Sequence, residues 1–150
     1  MAEFERQVGA VEWRNREQRL KLIGVVCDCC NLKIFPPTIV CPDCSSEVTT
    51  KFAFSGRGEI YTYTTQLPPP GKEEDGPKTI AIIKLVEGPF LAAQITDLAN
   101  PFDPQDRLNS SKPLEIGTQV EMVTRIVNKN GDRGIINYSY KFRPVELKSL

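Results

Sequence analysis

Four cysteines arranged in two pairs are the feature that most constrains the fold of this chain. Cys27 and Cys30 are separated by two residues, and Cys41 and Cys44 repeat that spacing after an interval of ten residues. Two thiolates at this spacing can bind one side of a zinc ion from a tight turn, and a second such turn completes a tetrahedral shell of sulfurs. The pattern therefore predicts a structural zinc ribbon with one zinc ion per chain.

The residues beside the cysteines support this interpretation. Pro42 follows Cys41 and stiffens the start of the second turn, and Asn31, which follows Cys30, tolerates the left-handed backbone that such turns often need. Two disulfide bonds are the alternative. The first residues of the chain are charged and polar, unlike a secretory signal, so we expect a reducing cytoplasmic location in which thiolates stay available to metal.

A fifth cysteine and the absence of histidine bear on catalysis. Pairing Cys27 with Cys30 rather than with Cys29 gives both pairs the same spacing, so Cys29 is predicted to be a spare thiol, with a nucleophilic role as the alternative. A closed shell of four thiolates leaves no position for water or substrate. The chain also has no histidine, the commonest general base near neutral pH. These observations favour a protein that is not an enzyme.

Length and charge narrow the class of partner. The chain has 150 residues, which suits one modest domain or a small module followed by a barrel-sized one. Its 19 basic and 19 acidic residues balance, whereas zinc ribbons that bind nucleic acid usually belong to clearly basic domains. The sequence contains no apolar run of about 18 residues, the length that spans a bilayer. We therefore expect neither a nucleic acid nor a membrane as partner.

Three segments follow one another along the chain. Residues 1–24 mix apolar and charged positions as one or two short amphipathic helices do. Their apolar side chains must pack elsewhere, and Trp13 is the candidate anchor at a partner or interdomain interface. Residues 25–48 form the ribbon, in which two short strands are predicted on either side of Pro36 and Pro37. Residues 49–150 carry almost only strand signals.

The strand signals of the third segment predict a small barrel. Turn sequences separate the strands, notably Glu87-Gly88-Pro89 and Asn130-Gly131, and two proline-containing loops interrupt them at 67–78 and 98–115. Five strands with glycines in the first match a Greek-key barrel of the OB type. The predicted fold is mainly β, with N-terminal helices, a rubredoxin-like zinc ribbon and a C-terminal five-stranded OB-fold barrel. The predicted strands are 52–66, 79–87, 90–97, 116–128 and 133–143.

A barrel of this type raises nucleic-acid binding as an alternative function. OB barrels commonly bind single strands on an aromatic face, because bases stack on aromatic rings. The balanced charge argues against this function, and alternating aromatic residues are also simply good strand formers and core residues. The aromatic residues that could form such a face are Tyr61, Tyr63, Tyr138, Tyr140 and Phe142.

Several short motifs together resemble one known family over nearly the whole chain. They are Leu22-Ile23-Gly24, Phe35-Pro36-Pro37, Cys41-Pro42-Asp43-Cys44, Glu87-Gly88-Pro89 and Tyr140-Lys141-Phe142-Arg143-Pro144. The family combines a zinc ribbon with an OB fold and is long known as a domain of unknown function. Its members occur mainly in archaea, beside genes for thiolase and hydroxymethylglutaryl-CoA synthase. The chain departs from the family pattern at Asn31, at Cys29 and in a charged insert at 71–78.

The resemblance implies a non-catalytic scaffold that binds acyl-CoA. Such a subunit bridges acetoacetyl-CoA thiolase and hydroxymethylglutaryl-CoA synthase in the mevalonate pathway of isoprenoid biosynthesis, or accompanies another thiolase-like enzyme. Coenzyme A would then be a ligand besides zinc, and its site needs cations for the phosphates and an apolar slot. The candidate residues for this site are Arg14, Arg16, Arg19, Lys21, Tyr138, Tyr140, Lys141 and Arg143.

Overall fold

The computed structural model describes residues 13–47, 49–68, 70, 76–98, 114–129 and 136–145. The predicted helical residues before Trp13, the Asn130-Gly131 turn and most of the two proline-containing loops lie outside these ranges. The elements in chain order are the helix α1 (Arg16–Lys21) and the strands β1 (Ile23–Cys27), β2 (Lys33–Ile34), β3 (Thr49–Ala53), β4 (Arg57–Gln66), β5 (Lys78–Leu85), β6 (Phe90–Ile95), β7 (Gln119–Lys129) and β8 (Ile136–Pro144).

The described part of the chain is mainly β, as predicted. The predicted N-terminal helices are not confirmed, because the segment contains only one short helix in the described residues, Arg16–Lys21. This helix, α1, has an acidic residue in its first turn and basic residues in its last, as the helix dipole favours. In the described ranges, no helix has the length and apolar character needed to cross a lipid bilayer.

The ribbon is a three-stranded antiparallel sheet with β1 at its centre. Val25 of β1 lies opposite Ile34 of β2, and Gly24 lies opposite Phe52 of β3. An added Cβ at Gly24 would lie 2.6 Å from a ring carbon of Phe54, so this position needs glycine. The sheet therefore includes residues 49–53, which the sequence assigns to the barrel segment, while the division into 1–24, 25–48 and 49–150 stays a prediction.

Two strand predictions in this region are wrong. The strand expected over 52–66 is broken between β3 and β4, because Gly56 adopts a left-handed backbone (φ 73°) that turns the chain out of the ribbon and into the barrel. The strand expected around Ile39 and Val40 does not form. These side chains are 80% and 45% exposed, and the Thr38 hydroxyl donates a hydrogen bond to the Val40 carbonyl within a loop.

The second sheet is a closed five-stranded barrel in the order β4-β5-β6-β8-β7. β4 pairs with both β5 and β7, and the parallel neighbours β6 and β8 meet through one pair in register, Ile95 and Phe142. This order is that of the OB fold, so the predicted barrel is confirmed. The predicted turn between β5 and β6 is also confirmed, since the Gly88 N–H donates to the Leu85 carbonyl across 2.9 Å.

The core of the barrel continues into the helix and the ribbon. Leu22 ends α1 in the left-handed conformation (φ 49°) and is fully buried in one core cluster with barrel residues that include Ile60 and Phe142. Phe54, in the link between ribbon and barrel, belongs to the same cluster, and its N–H donates to the Leu22 carbonyl. Phe35 of the ribbon packs edge-on against Phe54. The three parts therefore share one hydrophobic core.

Candidate metal centre and adjoining groove

The first cysteine pair sits in a tight turn at the end of β1. The Cys27 N–H donates to the Leu32 carbonyl, and the Asn31 N–H donates back to the Cys27 carbonyl, each across 2.9 Å. Asn31 has φ 60°, so the left-handed backbone predicted at this position is confirmed. This geometry directs the Cys27 and Cys30 thiols to the same side of the turn.

The second pair repeats the turn with the same hydrogen bonds. The Cys41 N–H donates to the Ser46 carbonyl across 2.9 Å, and the Ser45 N–H donates to the Cys41 carbonyl across 3.0 Å. Ser45 takes the position of Asn31 and has φ 57°. The residue type alone does not indicate a left-handed backbone at Ser45. The equal spacing of the two cysteine pairs is the signal that locates it, because Ser45 follows Cys44 as Asn31 follows Cys30.

The four sulfur atoms form one compact group. All lie within 4.8 Å of one another, with Cys27 and Cys44 Sγ 3.4 Å apart and Cys30 and Cys41 Sγ 3.6 Å apart. Sulfurs in a disulfide are about 2.05 Å apart. A tetrahedral metal with sulfur bonds of about 2.3 Å has sulfurs about 3.8 Å apart. The cysteines are thus free thiols in an arrangement that could hold a metal ion, unlike the disulfide alternative.

The local electrostatics shift the pKa values of two of these thiols in opposite directions. The N–H groups of Cys30 and Cys29 donate to the Cys27 sulfur and lower the pKa of Cys27 to about 7. The Ser46 N–H also lowers the pKa of Cys44. The neighbouring Cys27 sulfur and burial have the opposite effect, and the net result is a pKa raised to about 12. A group of four thiols therefore resists full ionisation unless a cation compensates the crowded negative charge. Cys29 is exposed and stands outside the four-sulfur group.

A groove of about 260 Å³ lies where the helix, the ribbon and the barrel meet. Its barrel side is lined by residues of β6 and β8 that precede the one registered pair of these strands, Ile95 and Phe142. Arg19 lies at this groove, and its Nε donates to the Ser139 hydroxyl across 3.4 Å. Burial raises the pKa of the Tyr140 phenol on the groove wall. The lining residues are Gln18, Arg19, Phe35, Pro36, Phe90, Leu91, Ala92 and Tyr140.

The structure brings together only two of the candidate coenzyme A residues, Arg19 and Tyr140. The other groove residues come from three distant segments, so the sequence alone does not indicate them, apart from the signal of the Phe35-Pro36 motif. Arg14, Lys21 and Tyr138 are exposed outside the groove lining.

The remaining candidates have other surroundings. The Arg16 guanidinium lies over the exposed Trp13 ring at 4.2 Å, and Arg143 donates from two nitrogens to the Glu121 carboxylate. Burial, with the nearby cation of Lys78, lowers the pKa of Lys141.

The aromatic residues do not form one exposed face. Phe142 is fully buried in the core, and the partly buried Tyr140 packs against that core. Tyr61 contacts Phe90, and the Tyr63 hydroxyl donates to the Leu114 carbonyl. A base cannot stack on the buried Phe142 ring. The aromatic face predicted for single-strand binding therefore lacks at least this residue.

Sequence and structure comparisons place these features in a family. A family model described as the ChsH2 C-terminal OB-fold domain matches residues 53–125. The chain is 37% identical over 134 residues to a DUF35 domain-containing scaffold protein of Pyrococcus furiosus, a match that covers 89% of this chain and 90% of that protein. It is 38% identical over 136 residues to a protein of the same description from Methanocaldococcus jannaschii, a match that covers 89% of each.

A solved structure shares the fold. The structure of an Ltp2-ChsH2(DUF35) aldolase superimposes with a TM-score of 0.60 at 22% identity, over 96% of this chain and 98% of that one. The two scaffold relatives confirm the family resemblance seen in the sequence motifs. With its four-cysteine ribbon and OB barrel, the chain belongs to the family of DUF35 domain-containing scaffold proteins.

Proposed function

We propose that this protein is a non-catalytic scaffold subunit that holds one structural zinc ion and binds acyl-CoA. In this proposal it bridges acetoacetyl-CoA thiolase and hydroxymethylglutaryl-CoA synthase and helps to transfer acetoacetyl-CoA in the mevalonate pathway. One observation carries the proposal: the identity to proteins described as scaffolds extends over 89% of this chain and 90% of the relative.

The four thiols fit zinc by donor chemistry and spacing. Zinc favours tetrahedral shells of thiolates, and the sulfurs are already separated by 3.4 Å and 3.6 Å in the two nearest pairs. The metal would contribute folding free energy to the ribbon, which is too small to be stabilised by apolar burial alone. Because protein sulfurs fill all four positions, the zinc ion would have a structural role.

The groove beside Arg19 fits part of an acyl-CoA molecule. A volume of about 260 Å³ is below the usual range for drug-sized ligands of about 300–1,000 Å³. It therefore suits a narrow pantetheine or acyl arm rather than the whole nucleotide. Phe35, Pro36 and Tyr140 supply apolar walls, and the Arg19 guanidinium supplies a cation near the phosphates or the thioester. The exposed Arg14 and Lys21 are further cations near the same helix.

Holding the intermediate between two enzymes has a simple physical benefit. Condensation of two acetyl-CoA molecules is thermodynamically unfavourable, so rapid use of the product draws the reaction forward. A bound arm that reaches a second active site raises the local concentration of the intermediate without any new catalytic group. A scaffold with this role needs neither an acid nor a nucleophile of its own.

The proposal is tested by reconstitution with both enzymes from the same source. We expect one zinc per chain by elemental analysis, a ternary complex by gel filtration, and no condensation or cleavage by the isolated chain. With all three proteins present, less acetoacetyl-CoA should escape into solution than with the two enzymes alone. Arg19→Ala should restore that escape, whereas Arg125→Ala, at a cation that pairs with Asp97, should not. Absence of a ternary complex would refute the bridging role.

A second candidate is an accessory subunit of another enzyme. The ChsH2 domain match and the aldolase structure favour it, because that related structure is described as an aldolase. A pull-down from native cytosol distinguishes the two. Recovery of thiolase and synthase together supports the bridge, and recovery of a different acyl-CoA enzyme without them supports the second candidate.

A further inference from the structure

The outer surface of β4, β5 and β6 carries exposed apolar side chains that the barrel core does not use. β5 alternates strictly between exposed and buried positions, and Ile80 and Ile82 are on its exposed side, at 44% and 41% exposure. Tyr61 on β4 and Phe90 on β6 flank this strand, and their ring centroids are 5.2 Å apart. We call these four residues and the exposed Ala92 the β5 face, and two of them, Phe90 and Ala92, also line the adjoining groove.

The strand register makes the β5 face continuous. Ile82 lies between Thr62 of β4 and Ala92 of β6, and Phe90 lies opposite Lys84. Scattered apolar side chains are normal on a protein surface, but adjacent ones on three neighbouring strands mark an interaction site. Tyr and Phe are also the side chains that interface centres favour.

Two lysines bracket the β5 face. Lys78 and Lys84 are at the two ends of β5 on its exposed side, and six residue steps of about 3.3 Å place them about 20 Å apart. Glu59 lies opposite Lys84 in the register. No ion pair of either lysine is formed within the described ranges, whereas Lys51, Arg125 and Arg143 all have one there.

This charge pattern favours a different protein over a second copy as the occupant, even though Glu59 beside Lys84 offers one carboxylate. A two-fold axis that stacks β5 on its own copy brings lysines onto lysines, whether the two strands run parallel or antiparallel. Like charges held together at an interface cost binding free energy. The complementary surface has an apolar centre between carboxylates about 20 Å apart, and it therefore belongs to a different protein.

We propose that the β5 face is the surface on which the partner enzyme docks, through apolar side chains bracketed by Asp or Glu. This inference rests on the proposed scaffold function, from which thiolase is taken as the enzyme that docks here. Apolar contacts at the centre slow dissociation, and the lysine rim speeds association and makes it sensitive to salt.

The test measures binding of the full zinc-loaded chain to purified thiolase by surface plasmon resonance. Ile82→Glu places a carboxylate in the apolar centre and should weaken binding by about tenfold or more. Thr124→Glu, an exposed position on β7, adds the same charge elsewhere and should change binding by less than about twofold. The double variant Lys78→Glu, Lys84→Glu should slow association and flatten its dependence on salt.

Each outcome supports or contradicts the docking proposal, the scaffold function or both. If Ile82→Glu stays folded by circular dichroism and binds thiolase like the wild type, the docking proposal is wrong while the scaffold function stands. If Ile82→Glu misfolds, the double variant Lys78→Glu, Lys84→Glu takes its place. Wild-type binding of thiolase by that variant in its folded state then contradicts the docking proposal. If the wild type binds neither thiolase nor synthase, both proposals fail. If the wild type alone sediments as a dimer that Ile82→Glu dissociates, the occupant is a second copy and the docking proposal is overturned.

Discussion

Leu22 couples the helix, the ribbon and the barrel, and its truncation gives the sharpest test of that coupling. The side chain has 0% exposure and belongs to the core cluster of the barrel. Leu22→Ala removes three buried carbon atoms, worth about 2.4 kcal/mol at about 0.8 kcal/mol each. The cavity left behind adds to this cost, so we expect a loss of about 3–4 kcal/mol. For a chain of this size, at about 2–4 °C per kcal/mol, that corresponds to a decrease of roughly 6–16 °C in Tm.

The assay is urea unfolding followed by two probes on zinc-loaded protein. Far-ultraviolet circular dichroism reports the strands, and near-ultraviolet circular dichroism reports aromatic packing such as that of Phe35 against Tyr140, which joins the ribbon to the barrel. A shared core predicts that the two curves coincide in the wild type and shift together in Leu22→Ala. The matched control is Leu20→Ala on the same helix, which is 39% exposed and should cost less than about 1 kcal/mol.

Two results would refute this reasoning. A loss below about 1 kcal/mol for Leu22→Ala would mean that the helix end does not pack in the barrel as described. Separate transitions for the two probes in the wild type would mean that the ribbon and the barrel unfold independently and that their shared cluster contributes little to cooperativity.

Three further predictions follow from other contacts. An added Cβ at Gly58 would lie 2.5 Å from the Lys84 carbonyl oxygen, so Gly58→Ala should destabilise the barrel by about 1–3 kcal/mol in the same urea assay. Partial burial is the largest single influence on Glu87 and raises the pKa of its carboxyl, but hydrogen bonds from the Ser55 backbone and side chain and from its own backbone, together with the nearby Lys33 cation, lower that pKa below the ordinary value of 4.5. The stabilisation is therefore present above 4.5 and is lost as pH falls through the lower folded pKa. Glu87→Gln should therefore cost about 1 kcal/mol at neutral pH and show a smaller loss of stability in acid, and an unchanged acid profile would contradict this. Cys41→Ser should lose the bound zinc and the ribbon's near-ultraviolet signal, and a metal-free chain that stays fully folded would contradict the structural role.

The features that the sequence predicts are those determined by local chemistry. The cysteine spacing predicts the four-sulfur group because each pair needs only one tight turn to align its thiols. The turn at Glu87-Gly88-Pro89 is predictable because Gly88 has φ 117°, a conformation that other residues rarely adopt. The alternation along β5 identifies its inner and outer sides because the side-chain period of a strand is two.

The features that the sequence misses depend on distant partners. Ile39 and Val40 have a strand-like composition, but a strand needs a neighbour to pair with, and the ribbon sheet ends at β2 in the described residues. The sequence pattern includes Leu22 in an amphipathic helix. In the structure Leu22 is the left-handed residue that follows the last helical turn, and its side chain is buried in the core. The groove combines side chains from the helix, the ribbon and two barrel strands, so local spacing does not indicate it.

The attachment of the ribbon to the barrel matters for the proposed bridging role, because it determines whether the two parts keep a fixed orientation. Strand β1 has Cys27 of the four-thiol group at one end, and at the other it continues from Leu22 in the barrel core. Small modules joined by a link usually move relative to each other unless their interface is large and apolar. Here the link itself is fixed, because Phe54 is in the shared core and the Ser55 N–H donates to the Glu87 carboxylate across 2.6 Å. A scaffold built this way holds the ribbon and the β5 face in one fixed orientation, so an enzyme docked on the β5 face would keep a constant position relative to the ribbon. Glu87→Gln, which leaves the β5 face unchanged but weakens the link, should therefore lower the efficiency of the proposed acetoacetyl-CoA transfer more than it lowers the affinity for either enzyme.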